Sequence, residues 1–241
     1  MINKKIKTNL IGRINNYIKQ WTLFEKVWLV TFTLVNIYLF FAWSDTWVGL
    51  TASLTGMLCV ILTAKAKISS FYWGLINILT YSYVAYGSAY YGDVMLNMLY
   101  FLPMTFLGIY YWNRNMRKEK EGKVLLIKSL NWKNKIFWFL VSIVIIWVYG
   151  LFLKFLHGTL PFVDSLTTIF SIVATIMLTK RITDQWIYWI MVDVFSIVMW
   201  GYIFLRDGNQ VSMLVMWSAY LVNACYGYYN WRKMEKRQHG K

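Results

Sequence analysis

The chain has 241 residues, of which 59% are hydrophobic, 20% aromatic and only 15% charged, and its formal net charge is +15. Soluble domains carry nearer a quarter charged residues, so this composition excludes an ordinary soluble protein and favours a polytopic helical membrane protein. The basic excess does not indicate nucleic acid, because Lys and Arg lie between apolar runs, as the positive-inside rule requires.

The apolar runs predict an all-α protein with eight transmembrane helices. Residues 1–22 form a basic segment, which we expect on the cytoplasmic side of the bilayer. Several of the runs after it approach the ~20 residues that span a hydrocarbon core. The predicted spans are 23–43, 46–63, 70–90, 94–112, 136–156, 164–179, 186–205 and 211–231. A basic loop, 113–135, divides them, and a basic tail, 232–241, follows.

The basic residues also predict the orientation of the chain. If the N-terminus is cytoplasmic and the chain crosses eight times, 23 of the 25 Lys and Arg residues lie on the inside. Lys154 and Arg206 are the two exceptions. This asymmetry sets the orientation of membrane proteins, so both termini are expected in the cytoplasm.

An internal repeat is the second organising feature. Residues 47–110 match residues 163–226 at a constant spacing of 116 positions, with pairs such as Trp73/Trp189 and Asn77/Asp193. The repeat units are 46–112 and 164–231, with 136–156 as a linker helix and 23–43 as an additional N-terminal helix. One linker between two triplets makes the repeats parallel, in a 1+3+1+3 plan. Transporters built from repeats bind substrate near mid-membrane at the repeat interface.

One stripe of the seventh span combines three indoles with a carboxylate. At about 100° per residue, Trp186, Trp189, Asp193, Ser196 and Trp200 fall within roughly one quadrant of a helix. An ionised carboxylate at this depth costs several kcal/mol unless it faces a cavity, a partner or a ligand. The stripe therefore predicts a ligand site. A hydrogen bond to a polar group on another helix, with the indoles as packing, is the alternative.

These motifs resemble the PnuC family of bacterial vitamin transporters. The resemblance rests on Trp-x3-Asn at Trp73 and Asn77, on Trp-x2-Trp-x3-Asp ending at Asp193, on the 3+1+3 plan, and on the Trp-Arg-Lys end that begins at Trp231. It implies a SWEET-like fold and import of nicotinamide riboside by facilitated diffusion across the bacterial inner membrane. A cytoplasmic kinase would trap the substrate without binding the transporter. Thiamine or another B vitamin is the alternative substrate.

The repeat brings a set of polar and aromatic side chains towards one interface. Indoles can stack on an aromatic ligand, and a carboxylate can offset the charge of a cationic ring. The predicted substrate-binding residues are Trp73, Asn77, Thr80, Asn97, Tyr100, Trp186, Trp189, Asp193, Ser196, Tyr220 and Asn223. An Asn77–Asp193 hydrogen bond that joins the repeats is the structural alternative.

The sequence contains no catalytic constellation and no metal-type spacing, so we expect no enzyme activity, no metal and no cofactor. A membrane-embedded enzyme or a sensor or scaffold subunit remains the alternative from a different class. We also expect a homo-oligomer, with a trimer as one arrangement.

Overall fold

The computed structural model describes residues 21–42, 46–87, 94–119, 122–157, 160–207 and 211–239, and it is mostly helical. Within these ranges it has eight helices, one for each predicted span. They are α1 (Leu23–Ala42), α2 (Trp47–Ala64), α3 (Ser69–Gly87), α4 (a π-helical segment, Leu96–Phe101, continued by Leu102–Arg114), α5 (Trp132–Phe155), α6 (Pro161–Thr179), α7 (Gln185–Asp207) and α8 (Val211–His239). The predicted N-terminal segment lies almost wholly outside the described residues.

Local side-chain bonds explain where several helices begin. Thr22 and Glu25 form a capping box on α1: the Thr22 hydroxyl accepts from the Glu25 N–H at 3.2 Å, and the Glu25 carboxylate accepts from the Thr22 N–H at 2.7 Å. Asn131 caps α5 by accepting from the Asn134 N–H at 2.9 Å. Pro161 is the first residue of α6, where its missing N–H costs nothing.

The turns after α2 and after α6 have the same backbone geometry. Ala66 and Arg181 both adopt a positive φ, of 52° and 61°. In each turn this residue donates its N–H to the carbonyl three residues earlier, and the next N–H reaches the carbonyl five residues earlier. These equivalent residues are 115 positions apart. The exposed side chains agree, because Tyr72, Leu79 and Tyr83 match Ile187, Val194 and Val198 at that spacing.

The predicted spacing of 116 is therefore wrong by one residue for these helices. At 115 positions, Asp193 corresponds to Ile78, and Asn77 corresponds to Val192. The predicted Asn77/Asp193 pair does not occupy equivalent positions. Apolar sequences match each other by chance at several spacings, whereas the hydrogen bonds of the two turns are equivalent only at a spacing of 115.

The helices pack as two groups of three that exchange contacts. In one group α2 packs on α3, and α3 on α4; in the other α6 packs on α7, and α7 on α8. Between the groups, α2 contacts α8 and α4 contacts α6. The remaining helices lie outside, with α1 against α2 and α5 against α6. The interface between the groups is therefore built from the first and third helices of each.

The basic loop predicted at 113–135 is folded against the helix ends, and the fold is not purely α-helical. It contains an antiparallel hairpin of β1 (Met116–Glu119) and β2 (Gly122–Leu125). Leu125 and Ile127 are buried against the helix ends. Lys128 exchanges backbone hydrogen bonds with the α6–α7 turn at Arg181 and Thr183. Short apolar stretches between the charged residues hold the loop against the helices. The prediction missed them because it considered only the number of charges in the loop.

The predicted basic tail at 232–241 is likewise helical as far as the structure describes it, because α8 continues to His239. Gln238 donates to the Leu125 carbonyl at 2.8 Å and accepts from the Ile127 N–H at 2.9 Å. The buried Glu235 carboxylate accepts hydrogen bonds from Ser129 and from Thr183. This end of α8 therefore holds the loop against the α6–α7 turn.

Four of the described helices are long and apolar enough to cross a membrane: α1, α2, α5 and α6. The polar residues predicted for the site lie on the other helices, with Asn77 on α3, Asn97 on α4, Asp193 on α7 and Asn223 on α8. Apolar side chains cover the outer faces of α1 and α5, as expected for contact with lipid. They include Val27, Leu34, Phe41, Leu140, Val144 and Val148.

Candidate functional site

Asp193 is a buried carboxylate without a partner in the described part of the chain. Its side chain lies on α7, and the residue is 4% exposed. No described residue donates a hydrogen bond to it or forms an ion pair with it. Burying a carboxylate in this way is costly, and buried charges in proteins are normally paired. The arrangement fits a site in which the missing partner is a ligand.

Asn223 on α8 repeats this feature with an amide. The residue is 2% exposed, and its Oδ1 atom has no hydrogen-bond partner in the described structure. Tyr220 lies one turn earlier on the same helix, within electrostatic range of Asp193. The adjacent helices α7 and α8 thus carry a buried carboxylate and a buried amide oxygen that can both accept hydrogen bonds.

Gly56 on α2 lies where the first helix group contacts Tyr220 of α8. A Cβ atom on Gly56 would lie 2.9 Å from Asn77 Nδ2 and 3.4 Å from the Tyr220 hydroxyl. The absent side chain therefore allows α2, α3 and α8 to meet, as small residues do between membrane helices. Asn77 Nδ2 donates to the Ala52 carbonyl at 2.7 Å. We call Gly56, Asn77, Asp193, Tyr220 and Asn223 the polar cluster.

Two other predicted site residues make bonds within or between helices, and a third is buried. The Thr80 hydroxyl donates to the carbonyls of Ile76 and Asn77 on its own helix, at 2.8 and 3.2 Å. Tyr100 donates to the Ile172 carbonyl at 2.7 Å, which ties α4 to α6. Asn97 is buried in the π-helical segment. These bonds show what holds the side chains in place in this conformation.

The predicted tryptophans lie in different environments. Trp73 is 37% exposed, so the structure does not bury it together with the polar cluster. Trp186 is buried, and its ring edge lies 2.5 Å from where a Cβ on Gly227 would be. Trp189 borders two buried apolar groups, and Ser196 is buried one turn from Asp193. Trp186, Asp193 and Ser196 are thus the buried members of the α7 stripe, whereas Trp189 and Trp200 are half-buried.

Sequence reasoning did not identify Gly56, which sets the approach of the helices at the cluster. A glycine inside an apolar span was the available signal, because close backbone approach is its usual role there. A separate cavity of about 200 Å³ lies between Leu160, Val163, Phe195, Val198, Met199 and Tyr202. Its lining is almost wholly apolar, so it offers little to a polar ligand, and it contains none of the predicted site residues.

Comparison with known proteins places this geometry in a family. The family model described as "Nicotinamide mononucleotide transporter" matches residues 46–233. A protein of Neisseria mucosa named "Nicotinamide riboside transporter PnuC" is 35% identical over 92% of this chain and 85% of its own length. The chain belongs to the PnuC family of transporters. It is therefore a multi-pass membrane transporter and not an enzyme, as the sequence predicted.

Further members of the PnuC family agree along almost the whole chain. The Haemophilus influenzae protein of the same name is 34% identical over 92% of this chain and 95% of its own length. The solved structure titled "Crystal structure of the Vitamin B3 transporter PnuC" superposes with a TM-score of 0.77 at 35% identity. That match covers 90% of this chain and 94% of the solved one, so the fold is shared over almost the whole chain.

Proposed function

We propose that this chain imports nicotinamide riboside by facilitated diffusion, with alternating access to the polar cluster. The unpartnered Asp193 carboxylate is the observation that carries the proposal. Nicotinamide riboside has a cationic pyridinium ring, which can offset the carboxylate, and hydroxyl and amide groups, which can satisfy Asn223. Trp189 offers a ring next to Asp193 on the helix, and cation–π attraction contributes about 0.5–2 kcal/mol where it is desolvated.

The riboside suits the cluster better than the mononucleotide that gives the family model its description. A phosphate needs cationic or N–H donors. The sequences of α2 and α3 contain no Lys or Arg, and α7 and α8 carry theirs only near their ends, from Arg206 and Arg232. Beside Asp193, a phosphate would add a second negative charge in a low-dielectric site. The relatives are named for the riboside, which agrees with this chemistry.

The proposed architecture is 1+3+1+3, with α2–α4 and α6–α8 as parallel SWEET-like repeats. The matched turns after α2 and α6 and the reciprocal packing of α2 on α8 and α4 on α6 support this arrangement. Both termini are proposed to lie in the cytoplasm and the protein in the bacterial inner membrane. A homo-oligomer, such as a trimer, and a cytoplasmic kinase that traps the product remain part of this proposal.

Calorimetric titration of the purified protein tests the substrate. Nicotinamide riboside should bind, and nicotinamide mononucleotide should bind at least about tenfold more weakly, because its phosphate has no cationic partner. Thiamine is the second ligand to titrate, since its thiazolium ring also offers a cation to Asp193. Tighter binding of thiamine than of nicotinamide riboside would make thiamine the proposed substrate and leave the proposed site unchanged. Tighter binding of the mononucleotide would contradict the charge argument.

A further inference from the structure

Four buried aromatic side chains form a row where the two helix groups meet. The row consists of Phe71, Trp112, Trp231 and Trp186, which are 6%, 0%, 0% and 3% exposed. Ring centroids are 4.8 Å apart from Phe71 to Trp112, and 6.0 Å apart in the two following pairs. We call these four residues the aromatic row. Its first two members belong to α3 and α4, and the other two to α8 and α7, so it bridges the groups.

Indole hydrogen bonds cross between the groups at this row. Trp112 Nε1 donates to the Leu178 carbonyl at 3.0 Å, and Trp231 Nε1 donates to the Thr63 carbonyl at 2.9 Å. Both acceptors lie in the last turn of the first helix of the opposite group. Asn230 adds a third bond of this kind, to the Ala64 carbonyl at 2.8 Å. The third helix of each group is thus fastened to the first helix of the other.

Two glycines seat the ends of the row in the same way. A Cβ on Gly108 would lie 2.4 Å from the Phe71 ring, and a Cβ on Gly227 would lie 2.5 Å from the Trp186 ring. Each glycine is on the third helix of a group, and each ring is at the start of the second helix. The bonds are reciprocal between the groups and the glycine contacts are equivalent in the two groups, so the row belongs to the interface and not to one helix.

The aromatic row lies between the polar cluster and the basic ends of the helices. Asn77 follows Phe71 by six residues, and Asp193 follows Trp186 by seven. At 1.5 Å per residue, these steps place the row about 10 Å nearer the basic end. Lys65, Lys67, Arg181 and Arg232 mark that end, and the docked loop covers it. Burial lowers the pKa of both Lys67 and Arg181, which are partly covered at this end.

We propose that the aromatic row is the cytoplasmic gate, with Trp112 and Trp231 as the positioning residues that hold it shut. This inference rests on the proposed transport function and orientation. A ligand bound at the polar cluster has the row in its path to the cytoplasm. Release inward requires the rings to separate, and the two indole bonds to break with them. The conformation described here is therefore closed towards the cytoplasm.

Sided labelling of a native thiol tests the gate. Cys59 lies on α2 between the row and Gly56, with its Sγ 3.2 Å from the position of a Cβ on Gly74. With Cys225→Ala, Cys59 is the sole thiol of the chain. A membrane-impermeant maleimide is applied to the cytoplasmic side of vesicles that contain the parent or Trp112→Phe/Trp231→Phe. Phenylalanine keeps a ring in the row but cannot donate the hydrogen bond.

The double variant should label about tenfold faster than the parent, because two lost bonds shift the population towards the open gate. Its affinity for nicotinamide riboside should stay within about threefold, since the polar cluster is unchanged. Trp28→Phe is the matched control, because the buried Nε1 atom of the half-buried Trp28 on α1 has no hydrogen-bond partner within the described structure. This control should label as the parent does.

Unchanged labelling in a double variant that still binds the riboside would overturn the gate. Faster labelling in Trp28→Phe to the same degree would also overturn it, because general loosening would then explain the result. If the double variant does not fold, the single Trp112→Phe and Trp231→Phe variants are judged by the same criteria. A parent that binds no riboside refutes the proposed substrate, while the labelling result still decides the gate.

Discussion

At the residue scale, substitution of Asp193 distinguishes recognition of the substrate's charge from helix packing. Asp193→Asn keeps the shape of the side chain but removes the charge that would offset a pyridinium ring. We predict that affinity for nicotinamide riboside falls by about tenfold or more, because the interaction is in a low-dielectric site. Affinity for the uncharged, reduced riboside should fall much less. Titration of both ligands measures the difference, with Asp164→Asn, an exposed acid at the start of α6, as the control.

An equal loss for both ligands would show that Asp193 acts through a hydrogen bond. No loss for either would place the substrate elsewhere.

Gly56 offers a second test at the same scale, through shape and not charge. Gly56→Ala would put a methyl group 2.9 Å from Asn77 Nδ2, so the Asn77 amide or the helices must shift. Overpacking of this kind costs about 1–3 kcal/mol, and we expect riboside binding to weaken by about tenfold or more. Gly201→Ala on α7 is the matched control, since nothing lies within 4 Å of its added Cβ. Equal behaviour of the two variants would refute a close contact at Gly56.

At the element scale, the end of α8 stabilises the loop between the helix groups. Gln238→Ala removes both bonds to the β2 end and leaves the Leu125 carbonyl and Ile127 N–H without them. Each such bond contributes about 0.5–1.5 kcal/mol, so the apparent melting temperature in detergent should fall by several degrees. Arg237→Ala, next to it on the exposed side of α8, should change little. A melting temperature equal to that of the parent would mean that the docking is incidental.

At the scale of the whole molecule, the sequence contains no ion-coupling motif, and we expect passive transport. Nicotinamide riboside taken up by proteoliposomes should reach the external concentration and rise no further. A proton ionophore should leave the final level unchanged. Accumulation above the external concentration that collapses with the ionophore would instead assign Asp193 a role as a proton carrier.

The topology is tested by reporter fusions on the two sides of the membrane. A reporter after Gly92 should read as external, and one after Lys123 as cytoplasmic, because the distribution of Lys and Arg sets the orientation. The opposite readings would invert the proposed topology and place the aromatic row at the external end. The row would then close the opposite side.

The sequence by itself was enough to predict the eight helices, the buried polar residues Asp193 and Asn223, and the resemblance to the PnuC family. Hydrophobic runs long enough to span a bilayer leave few alternatives to helices, because lipid cannot hydrogen-bond an open backbone. For the same reason Asp193 and Asn223 were recognisable as inward-facing groups. The capping pair Thr22 and Glu25 shows how local the signals for the start of a helix are.

Only the tertiary structure decided how these elements meet. The spacing of 115 came from turn hydrogen bonds, because similar apolar side chains allow several registers. Contacts between distant segments set the rest: Gly227 holds Trp186 in the aromatic row, and Gln238 docks a loop more than 100 residues away in sequence. Side-chain periodicity reports which face of a helix is buried. It does not report which helix lies opposite, because that depends on the packing of all the others.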